Sequence, residues 1–446
     1  MRFSIDNQTI NDLELFSRNR NDISVFSLFN YTNTNGGKKQ LEILFSNPIT
    51  DNDLIQQRIQ VLRYFQNFKL GFKIEKECFD FIEFYLNQQN IPNRYSVTKS
   101  LLTSLTNSIN PKNEYYIIQR GIAFLIQSLQ DVYYSVKDLD PDISPEYIKI
   151  CRTKILEIIA HSSLKIVLSI KDPEKLNPVY LGKLDYLFRN TELNNIKEIL
   201  EIIYEFDAFK SIVFASNKHG FSLPAYSADL NFYHAEGLFH PFLENPVSNS
   251  FDFVPGKNVC FLSGPNMAGK STFLKALSIS LYLSHLGFPV PATHLKTSIF
   301  NGLLTTINLS DNINKGYSHF YNEVLRVKYV AEEIKQVGNI FIVFDEIFRG
   351  TNVKDSYEAS LAVISSFSKL NNSVFAISTH IVEVADILNG NNSIFFKCFE
   401  ANLANGSPHY SFKIKEGISG ERIGMYILEK EKVIQIIEDA IEKQRL

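Results

Sequence analysis

Three short stretches carry the residue types that phosphate chemistry needs. The first, LSGPNMAGKSTFLKALS at 262–278, sets Gly264, Gly269, Lys270 and Ser271 at the spacing G-x-x-x-x-G-K-[ST]. Glycines let successive backbone N–H groups close around an anion, and a helix start adds positive potential. The Lys270 ammonium would reach the outer phosphates, and the Ser271 hydroxyl would join a Mg²⁺ shell. Pro265, Asn266, Met267, Ala268 and Thr272 complete the predicted cradle, and Lys270 is expected to face solvent. The second stretch, IFIVFDE at 340–346, is an apolar run ending in two acids. Asp345 at a strand tip would hold the Mg²⁺ shell, and Glu346 would orient or deprotonate the attacking water. The third, STH at 378–380, offers His380 to the γ-phosphate or its water. Adjacent acids can be a solvated turn, and a lone histidine a local hydrogen-bonding residue. A phosphate loop upstream of both favours the chemical reading.

Such residues need a rigid scaffold. NVCFLS (258–263) reads as a short buried strand before the loop, and an amphipathic helix is predicted from Lys270 to His285. NIFIVFDE (339–346) and SVFAISTH (373–380) read as two more buried strands, with helical patterns at 320–336 and 354–369. Alternation of this kind implies a mostly parallel sheet with helices on both faces. NSIFFKCFEA and PHYSFKIK, separated by NLANGS, predict a hairpin at the sheet edge. From about residue 25 to 220 the pattern is helical instead, with apolar stripes at Tyr115, Ile118, Ile122, Leu125 and Leu129, at Tyr147, Ile150, Ile155 and Ile158, and at Leu193, Ile196, Leu200 and Ile203. Breakers at 138–146 and 170–178 separate the helices. The predicted division is a helical domain over 1–225 and an α/β domain over 226–446.

Composition narrows the function. Of the 446 residues 45% are hydrophobic and 13% aromatic, enough to fill real cores. Cys78, Cys151, Cys260 and Cys398 form no C-x-x-C pair, which argues against a zinc site or a disulfide framework. MRFSIDNQTI lacks the apolar stretch of a signal peptide, and no run approaches the roughly 18 apolar residues of a membrane span. A soluble, cytoplasmic protein is expected. Net charge is −3, and residues 1–225 carry 26 Lys and Arg against 26 Asp and Glu. Any nucleic-acid contact therefore needs a local basic patch, because cations that displace counterions supply non-specific affinity.

GPNMAGKST, DEIFRGT and STH together resemble the ATPase domain of the MutS family of DNA mismatch-repair proteins. EGLFHP (236–241), LGFPVPA (286–292) and the segment from 24 to 65 extend the likeness. The resemblance implies a C-terminal α/β ABC-type P-loop ATPase domain behind an all-α helical core and lever domain, with ATP and Mg²⁺ as cofactors. It also implies a homodimer that sandwiches ATP. GYSHFYNE (316–323) is similar to the family's signature loop, so Ser318 would reach the partner's γ-phosphate. DNA would be clamped by the helical arms, with ATP switching the clamp; a switch acting on a protein partner without DNA is the alternative. A kinase would explain neither GPNM nor the core segment.

Departures from the family pattern carry their own expectations. Ala268 stands where the family has a second glycine, which matters only if that residue needs positive φ. SDNINKGYS lacks the acidic and glycine-containing segment usual before the signature, and no aromatic near NPVSNS matches the family's adenine-stacking residue. The family-like residues start with the core, so neither a mismatch-reading wedge nor an Smr nuclease domain is expected. DNA binding is therefore expected to favour branched or damaged structures over a single mismatch.

Overall fold

The structure is a computed structural model that describes residues 2–17, 22–68, 71–88, 113–307, 319–404, 407–419 and 432–445. The chain divides into two compact units: one gathers Met1–Leu28, Pro48–Asn52 and Lys218–Leu446, the other Phe29–Asn47 and Asp53–Asn217.

Two short helices, α1 (Asn7–Asp12) and α2 (Val25–Phe29), precede the helical unit. That unit contains α3 (Asn35–Ser46), α4 (Asn52–Asn67), α5 (Lys76–Leu86), α6 (Asn113–Lys137), α7 (Glu146–His161), α8 (Pro178–Tyr186) and α9 (Leu193–His219). Among its described residues no strand occurs. Ile122, Leu125 and Leu129 on α6 and Ile196, Leu200 and Ile203 on α9 are buried as their spacing predicts. The α7 stripe is displaced from the expected one: Ile148, Cys151, Ile155 and Ile159 are buried, whereas Ile150 is 56% exposed. Cys151 acts as a small apolar residue and completes the i, i+3, i+4 face that Tyr147 and Ile150 were expected to supply.

The other unit holds two sheets. β1 (Ala225–Tyr226), β2 (Tyr233–Leu238), β3 (Asn249–Phe253) and β5 (His294–Thr297) form a mixed sheet in the order β1-β5-β2-β3. β4 (Val259–Ser263), β6 (Gly302–Thr306), β7 (Ile340–Phe344), β8 (Val374–Ser378), β9 (Ile394–Ala404) and β10 (Ser407–Glu416) form the second, in the order β10-β9-β4-β8-β7-β6. All its pairings are parallel except the β9/β10 hairpin at the edge. Every residue of β4, β7 and β8 is buried, the mark of strands covered on both faces.

Helix α10 (Lys270–His285) starts at the glycine loop and packs between the sheets: Phe273 meets Phe251 of β3 and Phe399 of β9 with centroids 5.3 and 5.9 Å apart. It was expected to be amphipathic, but nearly all of it is buried. Its core serines are tolerated because Ser278, Ser280 and Ser284 donate to carbonyls three or four residues back. Four further helices follow: α11 (His319–Val337), α12 (Val353–Phe367), α13 (Glu383–Leu388) and α14 (Val433–Arg445).

The chain's first residues close the outer edge of β6. Ser4 pairs in parallel with Gly302, the Thr9 hydroxyl accepts from Thr305 N at 2.9 Å, and Asp12 accepts from Ile307 N at 2.8 Å. An edge strand that would present unpaired N–H groups is thereby satisfied. No helix among the described residues is long and apolar enough to cross a membrane.

Candidate nucleotide-binding site

The loop between β4 and α10 takes the backbone that its glycines permit. Gly264 has φ +138°, and a Cβ there would lie 2.6 Å from the Phe399 carbonyl oxygen; Gly269 has φ +104°. Met267 has φ +66°, whereas Ala268 is not among the positive-φ residues and is buried. Alanine at 268 therefore places no strain on the cradle. Asn266 and Met267 are exposed at the loop tip, Pro265 and Thr272 are half-buried, and Ser271 faces open space in the first turn of α10.

Lys270 does not face solvent as expected. It is only 4% exposed, and its Nζ donates to the carbonyls of Gly264 at 2.7 Å and Pro265 at 3.0 Å. Burial lowers its pKa from the usual lysine value, while Glu346 and Asp345 oppose that shift. Ordered carbonyls compensate the buried ammonium, which the loop's tight curvature brings within reach.

The two acids follow β7. Asp345 donates its N–H to Thr306 O at 2.9 Å, and its Oδ1 accepts from the Ser378 hydroxyl at 2.5 Å. Glu346 adopts φ +57°. Its Oε1 meets His380 Nε2 at 2.5 Å, and its Oε2 accepts from Arg349 Nη1 at 2.6 Å. The His380 bond, against burial and with help from Arg349, holds the Glu346 carboxyl down to about 2. The turn beyond it is braced as well: Glu323 of α11 accepts from Arg349 N and Gly350 N, each at 3.2 Å, and Ser356 donates to Phe348 O at 2.5 Å. Ser271, Asp345 and Glu346 line one cavity of about 700 Å³, with Asp12 and Glu14 from the N-terminal segment on its wall. Ser318 lies outside the described residues.

Three neighbours escaped sequence reasoning. Ser378 stood inside the STH stretch, where it reads as the end of a strand. Arg349 stood in DEIFRGT without an assigned part. Phe412, 43% exposed at φ +52°, has Cδ1 3.4 Å from where a Gly269 Cβ would be. It rides on an irregularity of the β9/β10 pairing between Tyr410 and Ile414. Asn249 pins that irregularity, donating to Phe412 O at 3.0 Å and accepting from Ile414 N at 2.8 Å. Thus NPVSNS, which has no aromatic of its own, supplies the amide that presents one from a distant strand.

A mixed donor set suits magnesium triphosphate: an anion-sized cradle of backbone N–H groups, one buried ammonium, a hydroxyl and a carboxylate. Mg²⁺ needs only one or two protein oxygens when phosphate and water supply the rest. A central parallel strand, glycine loop and helix beside tandem acids define an α/β phosphate-loop nucleotide-binding domain. Residues 260–446 match the family MutS domain V. The DNA mismatch repair protein MutS of Ehrlichia ruminantium is 24% identical over 513 residues, covering 95% of this chain and 63% of that protein. The proteins of the same name from Halalkalibacterium halodurans and Listeria welshimeri are 26% and 27% identical over 253 and 246 residues, covering 55% and 53% of this chain. Residues 260–446 thus carry a MutS domain V, and the chain is similar to these MutS-named proteins. The matches span from 28% to 63% of these relatives' lengths.

Proposed function

We propose that this protein is a cytoplasmic MutS-type ATPase that binds ATP with Mg²⁺, hydrolyses it at composite sites of a homodimer, and uses the cycle to switch a DNA clamp formed by the helical unit as a core with lever arms. The observation that carries the reading is the convergence of Lys270, Ser271, Asp345 and Glu346: the last three line one cavity, and both acids act electrostatically on Lys270.

Mg²⁺, when bound, neutralises phosphate charge as it develops. Lys270 would exchange its two carbonyl partners for phosphate oxygens, so the ammonium is already desolvated when it binds. Ser271 and Asp345 would hold the metal. Glu346 would accept the proton of the attacking water, with His380 fixing its Oε1. Phe412 would offer its ring to the base, and Ser318 would act across the dimer. Glu346→Gln should keep ATP binding and stall turnover, because an amide cannot take the proton. Equal loss of binding would make Glu346 a metal ligand or a structural group instead. Mixing Lys270→Ala and Ser318→Arg chains should restore some turnover through heterodimers with one intact site. No recovery after proven subunit exchange would count against composite sites.

A neutral helical half, 26 cations against 26 acids over residues 1–225, supports a second reading in which the switch acts on a protein partner. Competition among matched duplex, single-mismatch duplex and four-way junction at physiological salt separates the two. Salt-dependent binding that favours the junction supports the clamp. No binding to any DNA supports the protein partner. A mismatch preference of about tenfold, roughly 1.4 kcal/mol, would overturn the expected reading of shape.

A further inference from the structure

We propose that Ser378 is a positioning residue that locks the metal-side acid, Asp345, and the water-side acid, Glu346, into one unit; this rests on the nucleotide reading above. Phe344 of β7 pairs with Ile377 of β8, so Ser378 emerges one residue beyond the last ladder pair, beside the exit of β7. It is fully buried. A hydroxyl has one proton and two lone pairs. Here the proton goes to Asp345 Oδ1 at 2.5 Å, and a lone pair takes the Glu346 N–H at 2.8 Å. The Ser378 carbonyl also accepts from Ile347 N at 3.3 Å. One residue thereby fixes three consecutive residues, and the middle one holds a left-handed backbone that a non-glycine residue adopts at a cost.

The rival explanation is a serine merely tolerated in a buried position. Ser278, Ser280 and Ser284 show what that looks like: each hydroxyl returns to its own helix backbone. Ser378 makes no such return in the bonds described. It spends its proton on one acid and its lone pair on the next, across 33 and 32 residues of sequence. Asp345 and Glu346 consequently cannot reorient separately. Rotation of the Asp345 carboxylate moves the hydroxyl that holds the Glu346 amide.

The test uses the full chain with Ser378→Ala, and Ser378→Cys as a near-isosteric variant with a weaker donor that serves alone if alanine prevents folding. In nucleotide-free protein, amide exchange over 345–348, read by mass spectrometry, should accelerate at least tenfold in Ser378→Ala and less in Ser378→Cys, on the order expected for one lost hydrogen bond. A fluorescent ATP analogue should bind equally with EDTA, while the extra affinity gained with Mg²⁺ should fall about tenfold, and turnover about ten- to a hundredfold. Unchanged exchange, Mg²⁺-dependent affinity and turnover, with Glu346→Gln stalled in parallel, would overturn this inference alone. Normal turnover by Glu346→Gln would overturn the reading of the site, and this inference with it.

Discussion

Firmly hydrogen-bonded acids occur in both units, and they end in different states. In the helical unit Asp207 accepts from the N–H of Asn33 at 3.1 and 3.0 Å, the N–H of Thr34 at 2.9 Å and the Thr34 hydroxyl at 2.8 Å. Asp185 accepts from the Tyr85 hydroxyl at 2.8 Å and from Arg189 at 2.6 and 2.5 Å. Both oxygens of each are consumed inside the protein. In the α/β unit, Asp345 and Glu346 are held just as firmly, yet both open onto the cavity. Strong hydrogen bonds therefore do not separate chemistry from architecture here, since Asp185 and Asp207 are buried and Asp345 and Glu346 are half-buried. Access to open space does.

Lys270→Ala probes the chemical side of that contrast and should have the largest effect, a loss of turnover beyond about a thousandfold, roughly 4 kcal/mol. Because the amine is buried between two carbonyls, some stability should go with it, on the order of 1–3 kcal/mol by urea titration. Undiminished hydrolysis would remove the loop from the mechanism.

Asp185→Ala probes the architectural side. It strands the Arg189 guanidinium in a buried site, and stability should fall by about 3–5 kcal/mol with turnover per folded molecule unchanged. A loss below about 1 kcal/mol would mean that Asp185 is not the fixed structural acid its bonds imply.

A third measurement follows stability against pH. Burial, opposed by the bond to Ile49 O, pushes the His285 pKa from 6.5 down to about 4. Above 6.5 the imidazole is neutral folded and unfolded; between 6.5 and about 4 only the unfolded chain takes the proton. Stability should thus fall as pH falls through that window, by up to about 1.4 kcal/mol per unit, and level off below it for this group. His285→Asn should flatten that slope, and an unchanged slope would reject the assignment. Glu346 acts in a lower window: its depressed pKa contributes stability above 4.5 that is lost as pH falls toward about 2.

Phe412→Ala should weaken ATP binding by about 1–3 kcal/mol, the range for one stacked base, while leaving inorganic triphosphate binding unchanged. Equal weakening of both ligands would make the ring a support for Gly269 rather than a face for the base. The smallest effect is expected at the exposed Lys76–Asp80 pair on α5, 2.9 Å apart. Lys76→Ala should cost about 0.2–0.5 kcal/mol of stability, read from the urea midpoint.

What could be read in advance depended on sequence separation. The α10 boundaries, the three buried strands and the edge hairpin left local signals: a glycine loop, short apolar runs and a turn. The N-terminal segment at β6, the Asn249 pin under Phe412 and the Ser378 brace join residues far apart, and distance in sequence leaves no periodic trace. Lys270 was misjudged for a related reason, since a charge reads as exposed until the loop curvature supplies its acceptors. On α7 the error was chemical: Cys151 fills a core position that aromatic and aliphatic counting assigns to its neighbours.

Closing the β6 edge with the chain's first residues also sets a clock. Thr9 meets Thr305 across 296 residues. At a synthesis rate of about 5–20 residues per second, Ser4 to Asp12 wait on the order of 15–60 s before their partner strand exists. Phe29–Asn47 and Asp53–Asn217 are complete well before that moment. The unit with the spent acids can finish folding during synthesis, while the unit with the open ones must hold its beginning in reserve until β6 is made, with β7 to β10 still to follow.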